Sequence, residues 1–435
     1  MLIFMKKTLL YIFLLLPLIT SAQVPLSITN AIDTALLNNF DILIAKSNTD
    51  INRISNSFGN AGGLPSINGT AGDNNSLYNL KQKTSSGIDI TKNNVKSSSM
   101  NAGVTASMVL FNGFKITATK GKLNYLQKLS ELQLNQQIQN TIAQVMVMYY
   151  DIIRQQSYLN IIQSSLDVSS KKLDIVKDRY NVGMANDADL LQAKIDLNTA
   201  EQNIRGQQLI IEEDKTNLLQ LIGAKQFFPV TIHDTILVDK NIQQDSIINY
   251  LENNPQYLSA DQQIKINEQI VKEQKAQRYP SLRLNTGYNL TYSSSSAGFN
   301  LFTQNYGPTV GATMQIPIFN GTIYKTQQDV AKYNVEIAKI QKEKLLSSLK
   351  ADAINTYQSY ESMLQQMDSQ QMSYKDAGKL VEIVIQRFRA NQSTILDVKA
   401  AQASFEGAGY MFVNQQYAAK VAEIELKRLI YRLTY

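Results

Sequence analysis

The chain has no cysteine and no tryptophan among its 435 residues, and a single histidine, His233. Without cysteine there are no disulfides and no thiolate metal sites. A lone histidine beside Asp234, with no clustered carboxylates, makes a poor metal site. Charge is thin as well: the net is +6 with no Lys/Arg tract, which gives no case for nucleic acid. No Walker-type glycine loop occurs, and no base, nucleophile and orienting group recur together. The sequence therefore reads as a non-enzyme without cofactor, whose energy comes from elsewhere. After residue 22 there is no uncharged run of about 18 apolar residues, so no transmembrane helix is available. A bilayer crossing by this chain has to be a closed β-barrel.

The first 22 residues read as an export signal. Lys6-Lys7 form a basic region, Thr8 to Ile19 an apolar one, and Thr20-Ser21-Ala22 a small-residue cleavage site. No cysteine stands at that site, so no lipid anchor is expected there. Export without cysteine suits a bacterial envelope protein.

Two similar stretches follow. Phe111-Asn112-Gly113 and Phe319-Asn320-Gly321 stand 208 residues apart, as do Arg179 and Arg387, Gly183 and Asn391, and Asp189 and Asp397. The spacing predicts a first repeat over 23–222, with a helix over 26–58, a strand pair over 66–111, a long helix over 115–182 and a return helix over 186–222. A linker over 223–243, with a short strand around 232–238, leads to a second repeat over 244–435. That repeat holds a helix over 245–279, a strand pair over 281–319, a long helix over 322–389 and a return helix over 393–433. A helix of about 68 residues is roughly 100 Å long.

The strands alternate. Ala102, Val104, Ala106, Met108 and Leu110 oppose Asn101, Gly103, Thr105 and Ser107; Leu284 and Tyr288, then Val310 and Met314, repeat the pattern. This is apolar-out, polar-in alternation at a membrane-crossing length. The polar stretch 73–99 between the first two strands reads as a loop with ragged strand edges. Four strands cannot close a pore, and an open edge is forbidden in lipid. Three copies give twelve strands and a usable pore, whereas two give eight, which side chains fill. The long helices carry a 3.5-residue period, Ala353 to Phe388 in the second and Ile138 to Tyr180 in the first, with a slip at Ile162 and Leu166. That is a left-handed coiled-coil signature. A periplasmic adaptor or a purely structural coiled coil would leave the strands unexplained.

With these pieces in view, the chain resembles the outer membrane efflux protein family, the TolC-like outer membrane channels. Val109 to Gly113, Ile316 to Gly321 and the two Arg-Tyr/Phe turns carry the likeness. The resemblance implies an α+β membrane protein: a homotrimer whose 12-stranded outer-membrane β-barrel, four strands per protomer, continues into a periplasmic α-helical coiled-coil barrel. It implies a passive channel-tunnel in tripartite efflux or type I secretion. Its partners would be outer-membrane lipid, a periplasmic adaptor (membrane fusion protein) and an inner-membrane pump of RND, ABC or MFS type. It places Asp397 at a ring of carboxylates closing the periplasmic end, and makes Asp187, Asp189 and Arg387 candidates for the gate beside Arg179. A second family aspartate is Ala400 here, and Phe388 and Ser393 replace the family's lock-forming Tyr and Arg. The resemblance thus implies a less acidic constriction and a different lock.

Overall fold

The structure, a computed structural model, describes residues 24–433; the predicted signal segment lies outside the described residues. In chain order the elements are β1 (Val24–Pro25), α1 (Ile28–Asn38), α2 (Phe40–Ser55), β2 (Ser66–Lys83), β3 (Asp89–Asn112), α3 (Lys115–Asn181) and α4 (Asp187–Leu221). Then come β4 (Val230–Thr231), α5 (Gln244–Tyr250), a 3-10 turn (Leu251–Asn253), α6 (Pro255–Ala276), β5 (Ser281–Ser295), β6 (Phe302–Gln315), α7 (Ile323–Arg389) and α8 (Ile395–Leu429). α3 and α7 each have 67 residues, and α4 and α8 each have 35. The chain forms two compact units: one from residues up to Ile44, Asn135–Asn254 and Ser348 onward, the other from Ala45–Leu134 and Pro255–Ser347.

The second unit holds an antiparallel sheet in the order β2-β3-β5-β6. Its two edges, β2 and β6, have no partner among the described residues. Register puts Val104 beside Tyr288 and Met108 beside Leu284, while Thr105 faces Gly287 and Ser107 faces Asn285. One face is therefore apolar and the other polar. A bulge between Val109 and Phe111 sets Leu110 out of register and seats Phe111 opposite Leu282, so Phe111 continues the apolar face in place of Leu110.

Two further expectations about this sheet change. The 73–99 stretch is not a loop: β2 and β3 pair from Ser66↔Ser107 out to Lys83↔Asp89, leaving only a five-residue connection. Polar side chains dominate this stretch, and a bulge between Tyr78 and Leu80 breaks what alternation there is. At the other edge β6 stops at Gln315 rather than 319. Ile316 to Phe319 have no neighbouring strand, and Pro317 has no N–H to offer one.

The first unit is helical. One core joins Ala31, Ile32 and Ala35 of α1 to Val145, Tyr149 and Ile152 of α3, Leu218 of α4 and Ile424 of α8. The expected helix over 26–58 breaks at Asn39, which is extended (φ −60°, ψ 128°). Its side chain accepts from Ile42 N at 3.1 Å and donates to Leu221 O at 2.7 Å, starting α2 while capping the end of α4. The helix expected over 245–279 breaks likewise at Asn254. That residue is extended ahead of Pro255, and its amide donates to Leu429 O, the last residue of α8, at 2.8 Å. The linker strand falls at Val230–Thr231, not 232–238, because it is there that the chain pairs in parallel with Val24–Pro25.

Candidate functional site

The two helical turns are built alike. α3 ends with Gly183 at φ +77°, where Gly183 N donates to Tyr180 O (3.0 Å) and Met184 N to Arg179 O (2.7 Å). α7 ends with Asn391 at φ +60°, where Asn391 N donates to Phe388 O (3.1 Å) and Gln392 N to Arg387 O (2.8 Å). Both are the bond pair of a helix terminated by a left-handed residue, which glycine adopts freely and asparagine tolerates.

The returning helices start differently. Asn186 caps α4 by accepting from Asp189 N at 2.8 Å. Asp187 accepts from the Tyr180 hydroxyl, a bond that with the carboxylate's charge raises the Tyr180 pKa. At α8 the cap is reciprocal: Thr394 Oγ1 accepts from Asp397 N at 3.2 Å, and Asp397 Oδ2 accepts from Thr394 N at 2.7 Å. The backbone and side-chain bonds from Thr394, aided by the charge of Arg387, hold the exposed Asp397 carboxyl below its usual range. Asp397 is therefore both a helix cap and a persistent surface charge.

The arginines divide the work between turns. Arg387 Nη2 donates to Gln392 O within its own turn at 3.3 Å. Arg179 reaches across: its guanidinium lies over the Phe388 ring, 4.4 Å from the centroid, and donates to the Phe388 carbonyl. Phe388 itself is buried with Val176, Ala193, Val381 and Val398. Ser393 Oγ donates to Val384 O at 3.2 Å, again within its own hairpin. Within one chain, the contact between turns thus runs through Arg179 and Phe388, with Asp189 and Arg387 engaged locally.

A polar layer escaped sequence reading. Where the α3 seam was expected to slip at Ile162 and Leu166, burial continues through Ile162, Ser165, Ser169, Lys172 and Val176 at unbroken 3.5-residue spacing. Ser165 bonds to Glu406, and Gln402 Nε2 donates to Ser169 Oγ at 3.0 Å. Lys172 Nζ lies 2.5 Å from Asp196 Oδ2. The slip lies at Ile162, where three-residue steps follow one another from Gln156 through Leu159 and Ile162 to Ser165; beyond it the seam is carried by polar members that an apolar stripe does not mark. The signal was available in the spacing alone.

In the sheet unit the expected outward residues stand bare: Val104 is 53 % exposed, Tyr288 52 % and Val310 79 %, with Met108, Leu284 and Met314 also exposed. The polar face carries its own bonds, Asn285 Nδ2 donating to Thr313 Oγ1 at 3.2 Å. Each strand-to-helix turn uses two successive left-handed residues, Gly113 and Phe114 in one and Gly321 and Thr322 in the other. Gly113 has a second constraint, since a Cβ there would lie 2.6 Å from Ala276 O. Asn112 Oδ1 accepts from Ile116 N at 3.3 Å, and Phe111 packs edge-on to Phe114. Phe319, next to Asn320, remains exposed. Among the described residues no helix is long and apolar enough to cross a membrane, and no group of three His, Asp or Glu could hold a metal ion.

Comparison with known proteins decides the family. The sequence model of the outer membrane efflux proteins matches two stretches, residues 31–224 and 247–430. The chain belongs to the outer membrane efflux protein family. It is 21% identical over 409 residues to the toluene efflux pump outer membrane protein TtgC of Pseudomonas putida, covering 92% of this chain and 81% of that one. To outer membrane protein TolC of Vibrio cholerae it is 20% identical over 376 residues, covering 84% and 82%. Among solved structures, the Campylobacter jejuni CmeC outer membrane channel superposes with a TM-score of 0.76 at 16% identity, covering 94% of this chain and 87% of that one. VceC of Vibrio cholerae gives 0.72 at 16%, covering 93% and 95%. The fold of this chain is that of outer membrane efflux channels.

Proposed function

We propose that three copies of this chain close a 12-stranded barrel in the outer membrane of a Gram-negative bacterium, forming the passive exit duct of a tripartite efflux or type I secretion system. The observation that carries this reading is the open sheet. β2 and β6 each present an edge with no partner among the described residues, and one face of the sheet carries a bare apolar band. In lipid, edges must pair; copies that join β6 to β2 satisfy them, and three make a pore. The duct has no energy source of its own, so it works with a periplasmic adaptor and an inner-membrane pump of the RND, ABC or MFS type. Residues 1–22 act as a cleaved signal, with no lipid attached at the cleavage site, and 23–222 and 244–435 are the two copies of a duplicated unit. The matching lengths of α3 and α7 and of α4 and α8 support the duplication.

Membrane fractionation followed by an unheated gel tests this. The expected result is an outer-membrane trimer that dissociates only on heating. A stable monomer in mild detergent that already conducts as a complete pore would sink the proposal.

A further inference from the structure

The β2–β3 pairing outlasts the sheet. β5 leaves β3 at Ser97↔Ser295, yet β2 and β3 stay paired out to Lys83↔Asp89. Residues 77–96 therefore form a two-stranded ribbon beyond the four-stranded part. The connection between β5 and β6 runs along the edge of β3 and covers part of one face of the ribbon. Ser296 N donates to Lys96 O (2.9 Å), Lys96 N donates to Ser296 Oγ (3.0 Å), and Gly298 lies against Leu80 and Gln82. Val95 on that face is only 1 % exposed.

The other face is bare. It carries Leu77, Lys81, Lys83 and Lys96, all exposed, and Asp89 is the only acidic residue of the ribbon. By register Lys96 lies on the same side as Met100 and Val104, hence on the apolar side of the sheet, with Tyr292 beside Met100. Tyr292 packs edge-on to Phe302, 5.2 Å between centroids. Moving outward along this one side, the order is apolar band, then a row that holds Tyr292 with Asp73 across from Met100, then lysines. Four residues of a tilted strand put Lys96 roughly 10 Å beyond that row. An aromatic side chain such as Tyr292 marks the membrane interface, and long lysine stems reach from apolar surface toward charged headgroups.

We infer that the uncovered face of this ribbon, through Lys81, Lys83 and Lys96, docks the phosphate groups of an outer-leaflet lipid. The inference rests on the proposed barrel, which turns this face toward the bilayer and places the ribbon at its outer surface. Charge complementarity selects the occupant, because an excess of lysine just past that row meets anionic headgroups.

The test reconstitutes the full chain in phosphatidylcholine vesicles carrying either phosphorylated lipid A or the same lipid A after phosphatase treatment. The protein is re-extracted in mild detergent, and retained lipid A per protein is measured by mass spectrometry. Conductance is recorded from the same vesicles. Phosphorylated lipid A should be retained preferentially, with retention falling as salt rises. Each lysine near an anionic surface contributes about fivefold, so the combined Lys81→Gln, Lys83→Gln and Lys96→Gln variant should lose most of the preference. Lys92→Gln, on the opposite face of the ribbon, should keep it. Equal retention of both lipids by a conducting channel, or an undiminished preference in the triple variant, overturns the inference and leaves the duct intact. A protein that neither trimerises nor conducts overturns the proposed function and this inference with it.

Discussion

Lys172 Nζ lies 2.5 Å from Asp196 Oδ2, and the lysine side chain is fully enclosed between helices. The other carboxylate oxygen accepts from Gln192 Nε2 at 2.8 Å and sits 3.6 Å from Lys399 Nζ on α8. Burial alone would raise the Asp196 pKa. The bonds from Lys172 and Gln192 and the charges of Lys172 and Lys399 outweigh it and bring the carboxyl below its usual range. A depressed pKa contributes stability that is fully present above the unfolded value of about 3.9. That contribution is lost as pH falls through the lower folded value. Asp196→Ala should cost ~3 kcal/mol, because it leaves a buried ammonium without its carboxylate. Lys172→Met should cost less and should flatten the acid limb of stability. Helix melting by circular dichroism across the acidic range checks both.

The matched turns predict an exchange. Gly183 and Asn391 hold the same left-handed conformation, with φ of +77° and +60°. Gly183→Asn should be tolerated, whereas Gly183→Val should lower the melting temperature, a β-branched residue being a poor fit to positive φ. Gly113→Ala should be worse than Gly183→Ala, since it adds a collision with the Ala276 carbonyl to the strain in φ. Trimer yield on unheated gels separates the two variants.

The fold was legible where chemistry alternates or repeats. Val104 to Met108 and Leu284 to Tyr288 showed their faces because apolar and polar residues take turns. Gly183 and Asn391 showed the turns because few residues occupy that conformation. What stayed hidden lacked an unbroken contrast. In the outer ribbon Tyr78, Leu80, Ile90 and Val95 share one face, but the bulge between Tyr78 and Leu80 breaks the alternation, so the pairing out to Lys83↔Asp89 cannot be read from a period. Ser165, Ser169 and Lys172 are buried polar residues satisfied by partners far away in sequence, such as Asp196 and Gln402. Asn39 and Asn254 looked like ordinary helix residues until the carbonyls of Leu221 and Leu429 were beside them. The site was legible in position and not in partnership: Arg179 and Phe388 both stood out by their repeat, but nothing in the sequence paired one with the other.

Arg179 should not be replaceable by lysine. The planar guanidinium both stacks on the Phe388 ring and donates to its carbonyl, and an ammonium cannot do both in that geometry. Arg179→Ala and Arg179→Lys should each raise the closed-state conductance of reconstituted channels. Arg387→Lys should do so less, because its bond stays within one turn. Equal effects from all three would separate the turn contact from channel closure.

The exposed face of the sheet makes a labelling prediction. Cysteine placed at Val104, Tyr288, Val310 or Met314 should resist a water-soluble thiol reagent in membrane-embedded trimers, while cysteine at Thr105, Ser107 or Asn285 should react. The native chain has no cysteine to interfere. The reverse pattern would turn the sheet over.

Asp397 carries the last prediction. Its carboxylate is tied to Thr394 by the reciprocal cap and held below its usual range, so it stays ionised well into acid. If three copies meet at the periplasmic end, these charges focus negative potential there and favour cations. Asp397→Asn keeps an acceptor for Thr394 N and removes only the charge, whereas Asp397→Ala removes both. Cation selectivity should fall equally in the two variants, most strongly at low salt where screening is least. Helix stability should fall mainly in the alanine variant. Asp189→Ala should change selectivity less, since its turn belongs to the other hairpin. Single-channel reversal potentials under a salt gradient read the first effect and thermal melting the second. Selectivity that survives Asp397→Asn in a folded trimer would leave this residue a helix cap and nothing more.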